Sequence, residues 1–533
     1  MKKSPEYEAP PVQPKNKVVS ANEAISVIKS GDTVATGGFV GNGFAEQLAI
    51  ALEERFLATG TPRNLSLIYA AGQGDGKSRG LNHLGHEGLV ARVIGGHWGL
   101  APSLQKLAVE NKIVAYNLPQ GVISTMFRDI AAKKPRTISA IGLGTFVDPR
   151  HDGGKINAAT TEELVELITF DGEEYLAYKT MPIDIALLRG TTADPFGNIT
   201  MEKESLTLEV LSIATAVRNS GGKVIVQVER VAELGSLNSR QVKIPGILVD
   251  YVVVSEPGKH WQTFSEQFNP AYSGGIKVPV QSLAPMEMGL RKIIARRAAC
   301  ELQAGDIVNL GIGVPEGVSK VVNEEGLLDQ IVLTTEPGVI GGIPAGGLSF
   351  GAAVNAQAII DQPYQFDFYD GGGLDITFLG MAQADMHGNV NVSKFGNRLA
   401  GAGGFINISQ STHRVVFLGT FTAGGLRAVI ENGQLRIEEE GRTRKFMQGV
   451  VEHITFSGAY AVKKGKKVLY ITERCVFSLT AEGLELIEIA PGIDLRKDIL
   501  DLMDFAPIIR TTPRRMDGRI FREEPMGLKL PKV

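Results

Sequence analysis

The sequence predicts an α/β protein made of two homologous open α/β domains with parallel sheets, fused in one chain. Three observations predict it. At 533 residues the chain is longer than one ordinary core fills, so two domains are expected. Apolar strand-like runs alternate with helical runs, the pattern of parallel βαβ units in a sheet covered on both faces. And one block occurs twice. Residues 31–44 read Gly-Asp-Thr-Val-Ala-Thr-Gly-Gly-Phe-Val-Gly-Asn-Gly-Phe, and residues 305–318 read Gly-Asp-Ile-Val-Asn-Leu-Gly-Ile-Gly-Val-Pro-Glu-Gly-Val. Gly31/Gly305, Asp32/Asp306, Val34/Val308, Gly37/Gly311, Val40/Val314 and Gly43/Gly317 match without a gap, as do Ala21/Ala295, Ala24/Ala298 and Ile28/Leu302 in the preceding helices.

Taken in order, Met1–Lys17 carries lysines and prolines but no apolar h-region, so residues 1–17 read as a flexible lead-in and not as a signal peptide. The first domain is expected over 18–280. Phe44, Leu48, Leu52 and Phe56 recur every fourth residue, which predicts an amphipathic helix over 44–58. Leu65–Tyr69 reads as a strand ending in the glycine-rich turn Ala70–Gly74. Lys112–Leu118 is a β-branched and aromatic run, followed by Pro119-Gln120-Gly121 and a helix over Val122–Lys133. Lys223–Val231 and Leu248–Ser255 are further strands. Val278–Pro285 holds two prolines just before the second repeat, and the domain boundary is placed there. The second domain is expected over 281–533. Ile331–Thr335 is a strand stopped by Glu336-Pro337-Gly338. Gln365–Tyr369 reads as a strand before Asp370-Gly371-Gly372-Gly373. Gly401–Phe405 reads as a glycine loop before a strand Ile406–Ser409. Lys467–Thr480 and Leu484–Ile489 read as paired strands, and Asp494–Met503 as a short helix capped by Asp494.

Composition narrows the function. Hydrophobic content of 43% and charged content of 21% are those of a soluble globular protein. A net charge of −3 offers no general attraction to nucleic acid or anionic membrane. No apolar run is long enough to span a bilayer. Cys300 and Cys475 are the two cysteines, too few for a disulfide framework, which fits a reducing, cytoplasmic setting. Sixty-three glycines, against average usage of about 7%, cluster at strand ends, where α/β enzymes place ligands.

Several motifs compete. Ala71-Gly-Gln-Gly-Asp-Gly-Lys77-Ser78 fits a relaxed phosphate loop after a strand. A phosphate loop must open a helix, and Arg79-Gly80-Leu81-Asn82-His83-Leu84-Gly85 is a poor helix start. It reads as a glycine turn. No clean Gly-x-Gly-x-x-Gly occurs, which argues against a dinucleotide site. His83 and His86 have no cysteine or carboxylate set beside them in the sequence, so no metal site is expected. His97-Trp98 reads as packing or pocket lining, and Glu438–Glu440 as a solvated strand edge or turn. Glu336 stands apart: a carboxylate at a buried strand's C-terminal end, aimed at the crevice. The residues alone leave it either a nucleophile or a salt-bridged, turn-capping glutamate. Free glycine amides nearby can hold an oxyanion.

These residues resemble the family I CoA-transferases, specifically the fused acetate/propionate type carrying both homologous halves on one polypeptide. The resemblance runs from about Val18 to Phe521. Asp32–Gly43 is similar to the family's N-terminal signature, although that signature usually continues Gly-x-Pro where this chain has Gly43-Phe44-Ala45. Leu118-Pro119-Gln120-Gly121 resembles the segment whose glutamine lines the oxyanion site. Thr335-Glu336-Pro337-Gly338 resembles the nucleophile segment, with Pro337 removing one backbone donor. Gly401–Phe405 resembles the CoA-contacting and oxyanion segment. The resemblance implies Glu336 as nucleophile, Gln120, Gly403 and Gly404 at the oxyanion, and Gly401 and Phe405 against CoA. It implies acyl-CoA and short-chain carboxylates (acetate, propionate, butyrate) as substrates. CoA itself is the group exchanged, with no metal and no separate cofactor. It further implies a homo-oligomer, dimer or tetramer. Alternatives are an acyl-CoA hydrolase on the same fold, a non-catalytic sensor for acyl-CoA or a sugar phosphate, and an ATP-dependent acid–thiol ligase using Lys77.

Overall fold

Each copy of the repeated block begins with a Gly-Asp turn feeding a buried strand. The structure, a computed structural model that describes residues 16–279, 285–449 and 453–532, builds both turns alike. Gly31 and Gly305 take left-handed φ values of +87° and +94°, a region that a side chain resists. Asp32 accepts from the Lys29 amide and Asp306 from the Gln303 amide, both at 2.8 Å. The strands that follow have their first amides held the same way: Thr33 N–H donates to Asp184, and Ile307 N–H to Asp375, again at 2.8 Å. The duplication therefore extends to individual hydrogen bonds.

Strands of the two large sheets are numbered along the chain. The first sheet holds β1 (Thr33–Thr36), β2 (Leu65–Tyr69), β3 (Val90–Gly95), β4 (Val114–Asn117), β5 (Ile185–Arg189), β6 (Lys223–Val228) and β7 (Tyr251–Val254). Its order is β7-β6-β5-β1-β2-β3-β4, with every pair parallel. The second holds β8 (Ile307–Leu310), β9 (Val332–Thr335), β10 (Val339–Ile340), β11 (Ala358–Ile359), β12 (Ile376–Gly380), β13 (Arg414–Leu418), β14 (Lys467–Ile471), β15 (Cys475–Thr480), β16 (Gly483–Ile489) and β17 (Arg514–Arg515). Its order is β11-β10-β9-β8-β12-β13-β14-β15-β16-β17. Its parallel centre, β9-β8-β12-β13-β14, repeats β2-β1-β5-β6-β7. On the other side of β9, the short antiparallel β10 and β11 stand where the first half has β3 and β4. In both sheets the strand order reverses beside the first strand, and ligands of open α/β sheets bind outside the carboxyl ends at such a point.

The helices follow from spacing and stops. They are α1 (Ala21–Ile25), α2 (Glu46–Thr59), α3 (Pro102–Val109), α4 (Gln120–Ala131), α5 (Val210–Asn219), α6 (Leu290–Ala299), α7 (Glu316–Glu324), α8 (Gln362–Asp370) and α9 (Phe405–Ser411). Leu48, Leu52 and Phe56 of α2 are buried, and Gly60 ends the helix in the left-handed region with its N–H on Phe56 O. α4 packs on α5 of its own half and on α8 and α9 of the other. Ile406 of α9 joins the apolar core of the first half, a burial worth about 1.5–3 kcal/mol. Among the described residues no helix is long and apolar enough to cross a membrane.

Several expectations are corrected. Gln365–Tyr369 and Ile406–Ser409, read as strands, lie in α8 and α9. In α8, Asp361 precedes Pro363 in the first turn, and Gln362, Gln365, Phe366 and Tyr369 are buried while Tyr364 and Phe368 are exposed, a 3.6-residue period. α9 is buried on every side between the halves, so it shows no apolar stripe to read. Lys223–Val231 breaks after Val228, and Lys467–Thr480 breaks at Thr472–Arg474 around the buried Glu473–Arg474 pair. Glu440, grouped with a solvated charge run, pairs with the buried Arg474 at 2.9 Å. Lys17 is no part of a loose lead: its amide donates to Pro195 O and its ammonium to Gly246 O. Residues 1–15, and 280–284 of the Val278–Pro285 boundary, lie outside the described residues.

The paired capping bonds make a test of the duplication. Asp184→Ala and Asp375→Ala should each lower stability by about 1 kcal/mol, the net worth of one such hydrogen bond. Thermal unfolding of the two variants should show losses of similar size; a loss in one and none in the other would contradict the equivalence.

Candidate active site

β9 carries the central residue. Its buried Thr334 donates to Val308 O and accepts from the Tyr369 hydroxyl at 2.7 Å, and Thr335 donates to Gly351 O. Gln365 of α8 adds a bond to the Tyr369 hydroxyl at 2.9 Å. This frame fixes the strand to its last residue. The chain then turns at Glu336-Pro337-Gly338. Gly338 has φ +122°, and a Cβ there would lie 2.0 Å from Ile360 O, so only glycine fits.

Glu336 lines a cavity of about 300 Å³ between the halves. Packing around its carboxyl group raises the pKa to about 7, opposed by its own amide and by the Asn309 side chain. The opposite wall is the Gly401–Phe405 loop. A Cβ on Gly404 would stand 3.4 Å from Glu336 Oε1, and one on Gly403 would stand 3.6 Å from Gln120 Oε1. Gln120 comes from the first half as the first residue of α4. It is 1% exposed, and its Nε2 donor has no partner among the described residues. An unpaired buried amide is costly, and this one belongs to a residue on the cavity wall.

All six residues expected at the site, Glu336, Gln120, Gly401, Gly403, Gly404 and Phe405, line this one cavity. Their amides are not equivalent. Gly403 N–H, expected to be free, donates to Gly96 O at 2.7 Å, and Gly401 N–H to Ser393 O at 2.9 Å. Gly404 N–H, at the start of α9, has no acceptor among the described residues, so of the two amides the one free to donate into the cavity is that of Gly404. Phe405 is 9% exposed and stacks on Phe417 with ring centroids 5.8 Å apart, so it is a wall anchored in the core.

Sequence reasoning passed over one group. Asn309, inside the buried strand β8, faces Glu336 and Tyr369; an amide in the run Ile-Val-Asn-Leu, where the first half has Ala35, was the available signal. His97 does line the cavity, as read. Burial holds its pKa down at about 4 and its Nδ1 has no partner among the described residues, so it is a neutral imidazole at physiological pH.

The decoys are resolved by geometry. The amides of Lys77, Ser78 and Arg79 all donate to Asp75 Oδ1, at 2.8 to 3.0 Å. Partial burial would raise the Asp75 carboxyl, but these amides outweigh it and hold the pKa below the usual range. A nest already filled by a carboxylate repels phosphate, and a 3₁₀ turn, Leu81–Leu84, follows in place of an α-helix. His83 bonds Glu46 and Glu53, and His86 bonds Glu53. The fold thus supplies from α2 the carboxylates that the local sequence lacked.

Residues 18–255 match the coenzyme A transferase family. The chain is 49% identical to a caffeate CoA-transferase of Acetobacterium woodii over 96% of its own length and 98% of the relative's. It is 46% identical to the acetate CoA-transferase YdiF of Escherichia coli K12, covering 97% of each. It also resembles the crystal structure of the acyl-CoA transferase YdiF apoenzyme from E. coli O157:H7, with TM-score 0.94, 45% identity, and 98% and 100% of the two chains covered. A second structure, described as a thioester complex with CoA, gives a TM-score of 0.92 at 45% identity.

The raised pKa of Glu336 has a stability consequence. A folded-state pKa of about 7, above the unfolded value of 4.5, means stability that is full below pH 4.5 and is lost as pH rises through 7. Glu336→Gln should therefore raise stability at pH 8 by up to about 3 kcal/mol and leave it nearly unchanged at pH 4. Thermal unfolding at both pH values checks this; a variant less stable at pH 8 would contradict the buried-carboxyl account.

Proposed function

Because the chain belongs to the coenzyme A transferase family and is a CoA-transferase, we propose that it exchanges CoA between short-chain monocarboxylic acids through covalent intermediates on Glu336. The observation that carries this reading is that, among the described residues, Glu336 is the one carboxylate in the wall of the cavity, facing the glycine loop and Gln120 across it.

The steps follow from the chemistry of a carboxylate nucleophile. A Glu336 oxygen attacks the acyl-CoA carbonyl carbon. The C–S bond breaks, and CoA leaves as thiolate from an acyl-glutamyl anhydride. The thiolate attacks the Glu336 carbonyl carbon, expelling the donor acid as carboxylate and leaving a glutamyl-CoA thioester. The acceptor carboxylate then attacks that carbonyl, CoA thiolate leaves again, and its attack on the new acyl carbonyl regenerates Glu336. Each tetrahedral intermediate carries an oxyanion. Gln120 Nε2 and Gly404 N–H are the donors suited to it, each worth about 3 kcal/mol. The only exchanged group is CoA, and no further cofactor is required.

The substrate class rests on the walls. Phe39, Val40, Leu100, Ile312, Leu379 and Val392 are apolar, and among the described residues no lysine or arginine lines the cavity. A dicarboxylate's second charge would be buried there unpaired, which is costly. The names of the relatives, acetate and caffeate CoA-transferases, support an acid carrying one carboxylate, and the thioester described for YdiF supports the covalent route.

Acetyl-CoA and propionate without ATP should give propionyl-CoA, with parallel double-reciprocal lines. kcat/KM for acetyl-CoA should fall about tenfold per pH unit below about pH 7, since only ionised Glu336 attacks. Succinyl-CoA should be a poor donor. Intersecting lines, a demand for ATP, or free CoA formed faster than propionyl-CoA would contradict this reading.

A further inference from the structure

α4 begins at Gln120 without a capping side chain of its own, because Pro119 precedes it. The first amides of a helix need outside acceptors. Here the acceptor comes from the other half: Gly121 N–H donates to Asn407 Oδ1 at 3.1 Å. A Cβ on Gly121 would lie 2.4 Å from Asn407 Nδ2, so glycine makes room for this approach. The Asn407 amide is oriented by Asp370, whose two oxygens accept from Nδ2 at 3.1 and 2.9 Å. Its carbonyl oxygen is thereby turned toward α4.

The reverse contact is made by Asn117, the last residue of β4. Its Oδ1 accepts from Ala402 N–H at 2.9 Å, in the glycine loop of the second half. Its Nδ2 donates to Gly95 O and Gly96 O at 2.8 and 2.6 Å, which fixes which end of the amide faces the loop. Both asparagines are fully buried. Each half therefore holds, through one asparagine, the element of the other half that carries an oxyanion donor. Asn407 holds the turn bearing Gln120, and Asn117 holds the loop bearing Gly404.

We propose that Asn117 and Asn407, the latter oriented by Asp370, are positioning residues that set Gln120 Nε2 and Gly404 N–H against Glu336. This rests on the oxyanion role given above to those two donors. A misplacement near 1 Å can cost about a hundredfold in rate. A lost clasp leaves the apolar walls in place, so it acts on the transition state and spares ground-state binding.

A double-mutant cycle tests it. Gln120→Ala should lower kcat about a hundredfold and Asn407→Ala at least tenfold, each with KM for acetyl-CoA within about twofold. The double variant should lose no more than about threefold beyond Gln120→Ala, since Asn407 acts through Gln120. Losses that multiply, or an Asn407→Ala effect confined to KM or to the unfolding temperature, would overturn the clasp. Asp370→Asn keeps the shape of the network but offers Asn407 one acceptor and one donor. It should fold normally and lose kcat severalfold at unchanged KM, and wild-type kcat would count against the proposal. Gln120→Ala at wild-type kcat would instead remove the oxyanion role on which the clasp depends.

Discussion

The site depends on two backbones approaching more closely than side chains allow. Gly403 N–H reaches Gly96 O at 2.7 Å, Gln120 N–H reaches Gly403 O at 3.0 Å, and Ala400 O accepts from both Trp98 and Gly99. A Cβ on Gly401 would stand 2.9 Å from His97 Cα, and one on Gly96 would stand 1.9 Å from Ala70 O. Glycine at 96 lets the β3–α4 region of the first half lie close on the end of β2, and glycine at 401 lets the loop of the second half lie directly on that region. That contact brings Gln120 and Gly404 to the same cavity as Glu336, and it excludes water from the carboxyl group enough to raise its pKa.

The duplication explains why only one of the two halves puts a carboxylate at this strand end. Ser66 N–H bonds Asp32 O and Val332 N–H bonds Asp306 O, so β2 and β9 start in the same register. Counting along from these residues puts Ala70 where the second half has Glu336. Ala70 is buried, and its carbonyl is packed against Gly96. In the first half this strand end is used to bring the β3 turn close. In the second, the short antiparallel β10 and β11 replace β3 and β4, leaving the end of β9 open to the other half. One scaffold thus supplies a floor from one copy and the cavity's carboxyl group from the other.

Much of this was legible from residue types. The Gly-Asp repeat, the four-residue spacing of α2, and a glutamate stopped by Pro-Gly at a strand end report local physics that tertiary packing did not override. α8 and α9 were misread for a physical reason. Both are short, and α9 is buried between the halves on every face, so period and polarity are lost together. The amide of Gly403 looked available because its acceptor, Gly96 O, lies more than three hundred residues earlier in the chain. Asn309 went unnoticed because its importance is its place beside Glu336, not any local pattern.

A glutamate with a pKa near 7 is half ionised at neutral pH, and its burial destabilises the charged form that the proposed mechanism uses. The same low-polarity setting strengthens each hydrogen bond to a developing oxyanion. The central claim is that Glu336 becomes covalently bound to CoA during turnover. The most direct measurement is to mix the protein with acetyl-CoA alone, digest it, and locate the added mass by tandem mass spectrometry. The account predicts CoA in thioester linkage on the peptide containing Glu336, discharged by added propionate and absent from Glu336→Ala. An adduct on Glu316 or Glu46, or undiminished transfer by Glu336→Ala, would contradict it.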